Sequence, residues 1–240
     1  MPTNLTKTNH IPAIYMRICF LLFLSLISKS LAAQDLENPK PWGLHFGYST
    51  QQTIPFNLPD YHYTQVHILG QIPIKKYMYK KINLHFFVEG GYYHARHQLL
   101  NSWFTTTAQF NNFPDDFQQE MLQKKSIHQL VFHTAVEIAH FINSKTQLYA
   151  YAAIGPMWTS KQTERLAKGI AFSDNLGIGM KFKLTKNMWI SHLMVIRHES
   201  NANLQFPNSG HNTLGVRVGL VFNLTAPQKV VTQPLSLGKP

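Results

Sequence analysis

The feature that most constrains this chain is a strict alternation of apolar and polar side chains that recurs in eight segments. Successive side chains on a strand point to opposite faces, so a period of two gives one greasy and one polar face. The segments are 42–51, 61–72, 82–94, 126–141, 146–157, 169–184, 187–199 and 211–224. Each is long enough to cross a bilayer as a tilted strand, which needs about 9–11 residues. In the last, Leu214, Val216, Val218, Leu220, Phe222 and Leu224 share one face, against Thr213, Gly215, Arg217, Gly219 and Asn223. In the fourth, Leu130, Phe132, Val136 and Ile138 oppose Gln129, His133 and Glu137; in the sixth, Phe172, Leu176, Ile178, Met180 and Phe182 oppose Ser173, Asn175 and Lys181. Helical periodicity is absent after residue 33 apart from a stretch near Asp115–Lys125.

A soluble sandwich also alternates, so other features must decide. Aromatic residues cluster near strand ends at Trp42, Tyr92, Tyr93, Trp158 and Trp189. The connections alternate in length: Asn143–Lys145 and Thr185–Lys186 are tight turns, whereas 52–60, 95–125, 158–168 and 200–210 are longer. Outer-membrane barrels pair short periplasmic turns with long external loops and have even strand numbers. The expected fold is therefore all-β, an eight-stranded antiparallel up-and-down transmembrane β-barrel over 34–224, with the four long loops outside the cell. The Pro73–Lys81 link fits this pattern poorly, being longer than a tight turn.

The ends of the chain read differently. A cationic start, the apolar run Ile18–Ile27 and the small residues Ser30, Ala32 and Ala33 describe a signal peptide over 1–33, too short to span a membrane as a helix. Its loss removes Cys19, the one cysteine, so neither a disulfide nor a cysteine nucleophile is expected afterwards. It also removes three of the cations behind the net charge of +11. On an exported chain this basic balance suits phosphorylated lipid headgroups better than nucleic acid. The Pro/Gln/Lys-rich tail 225–240 reads as unstructured.

Chemistry concentrates after the seventh segment, in Arg197-His-Glu-Ser-Asn-Ala-Asn-Leu-Gln-Phe-Pro-Asn-Ser-Gly-His-Asn212. His198 and Ser200 stand two apart on a strand and so share a face. A serine hydroxyl is a poor nucleophile until a neighbouring imidazole takes its proton. By strand parity His198, Ser200 and Asn212 all fall on the apolar, lipid-facing side, whereas Arg197 and Glu199 fall inside. Polar groups on a lipid face are costly and point to function. His192 lies deeper on that same face.

The run His198-x-Ser200-Asn201-Ala202 followed by Pro207-Asn208-x-Gly210 resembles the signature of the lipid A 3-O-deacylase family, outer-membrane barrel esterases. The resemblance is dense over 197–212 and architectural elsewhere. It implies a serine esterase that removes an ester-linked acyl chain from lipid A of lipopolysaccharide in the outer leaflet of a Gram-negative outer membrane. Ser200 would be the nucleophile and His198 the base. Asn201 and Ala202 would lie at the oxyanion, and Pro207, Asn208 and Gly210 would shape the returning loop. No cofactor is implied; lipopolysaccharide and membrane lipids are the expected partners, with a homodimer open.

One position departs from the family pattern, which has glutamate where this chain has Asn212. An amide oxygen can orient the His198 ring but gives no charge, and the corresponding Asp→Asn change in a serine protease costs about 10⁴ in rate. Glu199 is on the wrong face. Three readings stay open: Asn212 serves as orienter, another acid reaches in, or the enzyme is impaired. A barrel that has lost catalysis and acts structurally or adhesively is the alternative function, and a phospholipase-type esterase is a third.

The thirteen histidines form no H-E-x-x-H or similar motif, and no metal site is expected. His94 and His97 are the one pair that could meet, on the long external loop after the third segment, where histidines are usually just solvated. Glu89, Glu137 and Arg217 are expected inside as an ion-pair network. Arg96, Lys161, Arg165 and Lys168 are the external cations suited to phosphate, and Lys75, Lys76, Lys80 and Lys81 are expected in a solvated periplasmic link.

Overall fold

The computed structural model describes residues 40–106, 110–111, 113–114 and 116–224. The expected signal peptide and the tail 225–240 lie outside these residues. Eight antiparallel strands close into a barrel in sequence order: β1 (Lys40–Thr50), β2 (Tyr61–Tyr79), β3 (Ile82–Leu99), β4 (Lys125–Asn143), β5 (Thr146–Thr159), β6 (Gly169–Lys183), β7 (Met188–Ser200) and β8 (His211–Leu224). β1 pairs with both β2 and β8, so the sheet has no free edge. This is the architecture expected from the alternation.

The link after β2 is a correction. Residues 73–79 are strand, and only Lys80 and Lys81 turn, with Lys80 at φ 53°. The register shifts between Pro73 and Lys75. Proline cannot donate to the ladder and is accommodated at such a bulge, which moves one residue and inverts the parity beyond it. Lys76 thus pairs with the inward His85, while Tyr77 pairs with Leu84 and packs edge-on against Phe86. Lys75 and Lys76 therefore belong to the wall, not to a link.

The wall is apolar outward. Phe46, Val66, Leu130, Ile154, Leu176 and Val216 are all exposed, a surface that only lipid can cover. Of the five strand-end aromatics, Trp42, Tyr92 and Trp158 share this face, but Tyr93 and Trp189 are buried inside. Their inward placement follows from their odd position in β3 and β7, so proximity to a strand end did not decide it.

The interior is filled, as an eight-stranded ring requires. Glu89 accepts from Tyr151 at 2.5 Å and Gln71 at 3.0 Å, with Arg217 3.8 Å away. Glu137 takes Lys181 at 2.6 Å and His85 at 3.4 Å. Arg197 pairs with Glu199 at 2.6 Å and also donates to Ser173, Gln65 and Gln129. Buried charges are tolerable only when paired this fully.

At the long-loop end the third loop begins later than the sequence reading has it, because β3 continues to Leu99. The helical stretch is a short α1 (Phe117–Leu122). Its Phe117 and Met121 join Phe110, Tyr61, Leu99 and Ile127 in a small core that roofs the lumen. Phe206, from the loop between β7 and β8, packs on it with ring centroids 5.2 Å from Phe110 and 5.5 Å from Phe113. The roof thus holds the loop that follows Ser200.

Candidate active site

β7 delivers His198 and Ser200 to the outer wall at its loop end, both partly exposed, while the alternating Arg197 and Glu199 are buried inside. Antiparallel pairing sets His198 opposite Asn212 on β8. Their side chains meet, with His198 Nδ1 2.7 Å from Asn212 Oδ1. That oxygen only accepts, so Nδ1 carries the proton, and in the neutral ring Nε2 keeps its lone pair. This is the tautomer a general base needs on its reacting side. Neither Nε2 nor the Ser200 hydroxyl has a partner among the described residues, and such catalytic contacts often tighten only when substrate is bound.

The loop beyond Ser200 is tightly tied. Ala202 and Asn203 both have positive φ, 52° and 60°, reversing the chain. Asn201 is fully buried; its Nδ2 donates to the Gln205 carbonyl at 2.6 Å and the Pro207 carbonyl at 3.3 Å. Its backbone N–H donates to Asn208 Oδ1 at 2.6 Å. The Asn201 donors are therefore committed to bracing the loop, and the Ala202 N–H is the donor beside Ser200 without an acceptor among the described residues. Asn208 also donates to Asn203 at 2.8 Å and bridges to Leu166. The Pro207 carbonyl accepts from the Ala167 N–H at 2.9 Å, joining this loop to the one after β5.

Gly210 has φ 70°, a conformation side chains resist. A Cβ there would stand 2.5 Å from the Glu199 carbonyl oxygen and 3.2 Å from His198 Cε1. The glycine lets the loop return flush against the His198 ring. Arg165 fastens it, donating from Nε to the Gly210 carbonyl at 2.7 Å and accepting the Gly210 N–H on its own carbonyl at 2.8 Å. Its guanidinium also lies 4.9 Å from the Tyr61 ring centre.

The other candidates separate. His94 and His97 do not meet: they lie three apart on β3, on opposite faces. His94 bonds Ser126 at 2.6 Å outside, and His97 pairs with Glu164 at 3.0 Å inside. Glu164, from the loop after β5, was not singled out in the sequence, because nothing in a loop signals that it folds into a barrel mouth. Arg96 and Lys124 line an outer cavity of about 370 Å³ with His62, on the β2–β4 side, whereas Arg165 stands at the site itself. Among the described residues no group of three His, Cys, Asp or Glu is placed to hold a metal ion.

A second missed residue is Asp174. It lies on the outward face of β6 and is the register partner of His198. Asp174, His198 and Asn212 thus form one row across three adjacent strands. The apolar face of β6 reads cleanly around position 174, so a single polar residue within it escapes notice; its intrusion was the signal.

Comparison with known proteins agrees with this architecture. The solved structure described as the outer membrane enzyme PagL is similar at TM-score 0.50 and 16% identity, covering 75% of this chain and 97% of that one. Neisserial surface protein A follows at TM-score 0.42 and 8% identity, covering 77% of this chain and 96% of its own. OprG from Pseudomonas aeruginosa gives 0.38 and 9%, covering 79% and 98%. A search of curated proteins finds no match. The family model described as Lipid A 3-O-deacylase (PagL) matches residues 91–221, more than half the chain and including all of the row just described. By that match, the chain belongs to the lipid A 3-O-deacylase (PagL) family.

Proposed function

We propose that this outer-membrane barrel is a serine esterase that removes an ester-linked fatty acyl chain from lipid A, with the long-loop end in the outer leaflet. The observation that carries the reading is the 2.7 Å contact between His198 Nδ1 and Asn212 Oδ1 on a lipid-facing wall. It leaves Nε2 available as the base, with Ser200 two residues along the same face, and the substrate's acyl chains would lie along Leu176, Ile196 and Leu214. An imidazole oriented by an amide, with a serine on the same wall, is what a general base requires, and each polar group there carries a desolvation cost.

In this mechanism Ser200 Oγ attacks the acyl carbonyl carbon while its proton passes to His198 Nε2. The Ala202 N–H would donate to the oxygen that becomes negative, and Asn201 holds the turn that carries it. Collapse breaks the ester bond, and the departing sugar oxygen takes the proton back from His198. Water, deprotonated by the same nitrogen, then attacks the acyl–serine ester; the bond to Ser200 Oγ breaks, Oγ takes the proton back from His198, and the fatty acid is released. Asn212 keeps the ring in its tautomer throughout. No step calls for a cofactor.

The test is mass spectrometry of lipid A from cells expressing the parent or Ser200→Ala. The parent should shorten lipid A by one acyl chain, and the variant, folded and in the membrane, should not. Equal acyl loss from both would end the proposal. No loss with either would favour a barrel that has lost catalysis. Loss from glycerophospholipids instead would identify a phospholipase.

A further inference from the structure

Asn212 orients His198 but gives it no charge, and the ring must become cationic whenever it takes the Ser200 proton. A carboxylate normally meets that need. Asp174 is the one acidic residue on the outward face of the strands among the described residues. Glu89, Glu137 and Glu199 face the lumen, and Asp60, Asp116, Glu120 and Glu164 lie in loops or α1. A carboxylate facing hydrocarbon is disfavoured unless a function holds it there. Its Oδ1 is buried and makes no hydrogen bond, and Asp174 forms no ion pair among the described residues. Every luminal carboxylate, by contrast, is paired. The one imidazole directly opposite it is His198.

We propose that Asp174 is the positioning residue that supplies the negative charge for His198, so that the acid's work is divided between two strands. Asn212 on β8 fixes the ring and its tautomer; Asp174 on β6 stabilises the imidazolium. No ion pair joins them in the structure, and the attraction grows as the ring takes the proton. This interaction is stronger in the transition state than in the ground state, the condition for raising kcat rather than tightening binding. The proposal rests on the esterase reading of Ser200 and His198.

Other charged or titratable groups around His198 are few. Arg165 is held at Gly210 by its backbone bonds. His211 lies inside the wall, and Arg197 and Glu199 neutralise each other. His192 lies lower on the same face. All are left in place by Asp174→Asn, which keeps shape and removes only charge.

Two measurements on the full chain in detergent micelles test this. The His198 imidazole is titrated by NMR, its resonance assigned by comparison with His198→Gln, in the parent and in Asp174→Asn. Loss of the carboxylate should lower the His198 pKa, and an unchanged pKa would overturn the proposal whether or not the protein turns over. Kinetics on lipid A supply the second arm. Asp174→Asn should lower kcat about tenfold or more with KM little changed, and should move the acid limb of the kcat profile to lower pH. Asp174→Glu should recover much of the rate. In an Asn212→Asp background, where the orienting group already carries charge, Asp174→Asn should cost much less. The same loss in both backgrounds would assign Asp174 a structural role and contradict the proposal. A parent no more active than Ser200→Ala would instead remove the esterase reading and leave the charge coupling to the NMR result.

Discussion

Replacing Gly210 with Ala probes how closely the returning loop sets the His198 ring. Two penalties can be worked from the structure. The residue sits at φ 70°, where a side chain costs about 1–2 kcal/mol. The added Cβ would also stand 2.5 Å from the Glu199 carbonyl oxygen, inside the 3.0 Å that real Cβ contacts respect. The obstacle is backbone, so β7 and the start of β8 must part there by roughly half an ångström or more. The His198–Asn212 contact lies one residue from Glu199 and two from Gly210, and at 2.7 Å it has little slack before it exceeds hydrogen-bond range. A misplacement near 1 Å costs about 10²-fold in rate. Gly210→Ala should therefore lower kcat for acyl release by about 10- to 100-fold, while the barrel stays folded and loses about 1–2 kcal/mol of stability. The assay is fatty-acid release from lipid A, beside a gel comparing heated and unheated protein to confirm the barrel. Turnover within twofold of the parent would refute the claim that this glycine sets the ring.

Two further outcomes follow from the same geometry. Asn201→Ala removes the donor to the Gln205 and Pro207 carbonyls in a fully buried position, costing about 1–3 kcal/mol locally; limited proteolysis should then cut within 201–210, and an uncut loop would count against the bracing role. Glu89→Gln uncouples Arg217, Tyr151 and His133 inside the ring, and breaking a buried pair typically costs about 3–5 kcal/mol. Denaturant unfolding should register that loss, while acyl release by the surviving folded fraction should be close to the parent's because the network lies on the other side of the wall.

What the sequence made legible was parity. Period-two patterning placed His198, Ser200 and Asn212 on one outward face and Glu199 inside, because closing a sheet leaves that alternation intact. It failed where the chain breaks its own rule. The bulge at Pro73 inverts the faces, so 73–79 no longer alternate in phase and read as a link. Tyr93 and Trp189 look like interface aromatics but point inward, Tyr93 against His67 and Arg197 and Trp189 against Phe141. Asp174 was hidden because a face is recognised from its apolar majority, and the exceptional residue is discounted by the same habit that finds the strand. Glu164 and the roof formed by Phe110, Phe117 and Phe206 depend on loops meeting across the barrel mouth, which no local pattern encodes.

The central claim is that Ser200 is a nucleophile activated by His198. It is tested most directly by a lipophilic fluorophosphonate, which forms a covalent phosphonyl bond only with an activated serine. Peptide mapping of the labelled barrel should find one adduct, on Ser200, that disappears in His198→Ala although the hydroxyl is still present. Acyl release from lipid A without an adduct on Ser200, or equal labelling with and without His198, would contradict it.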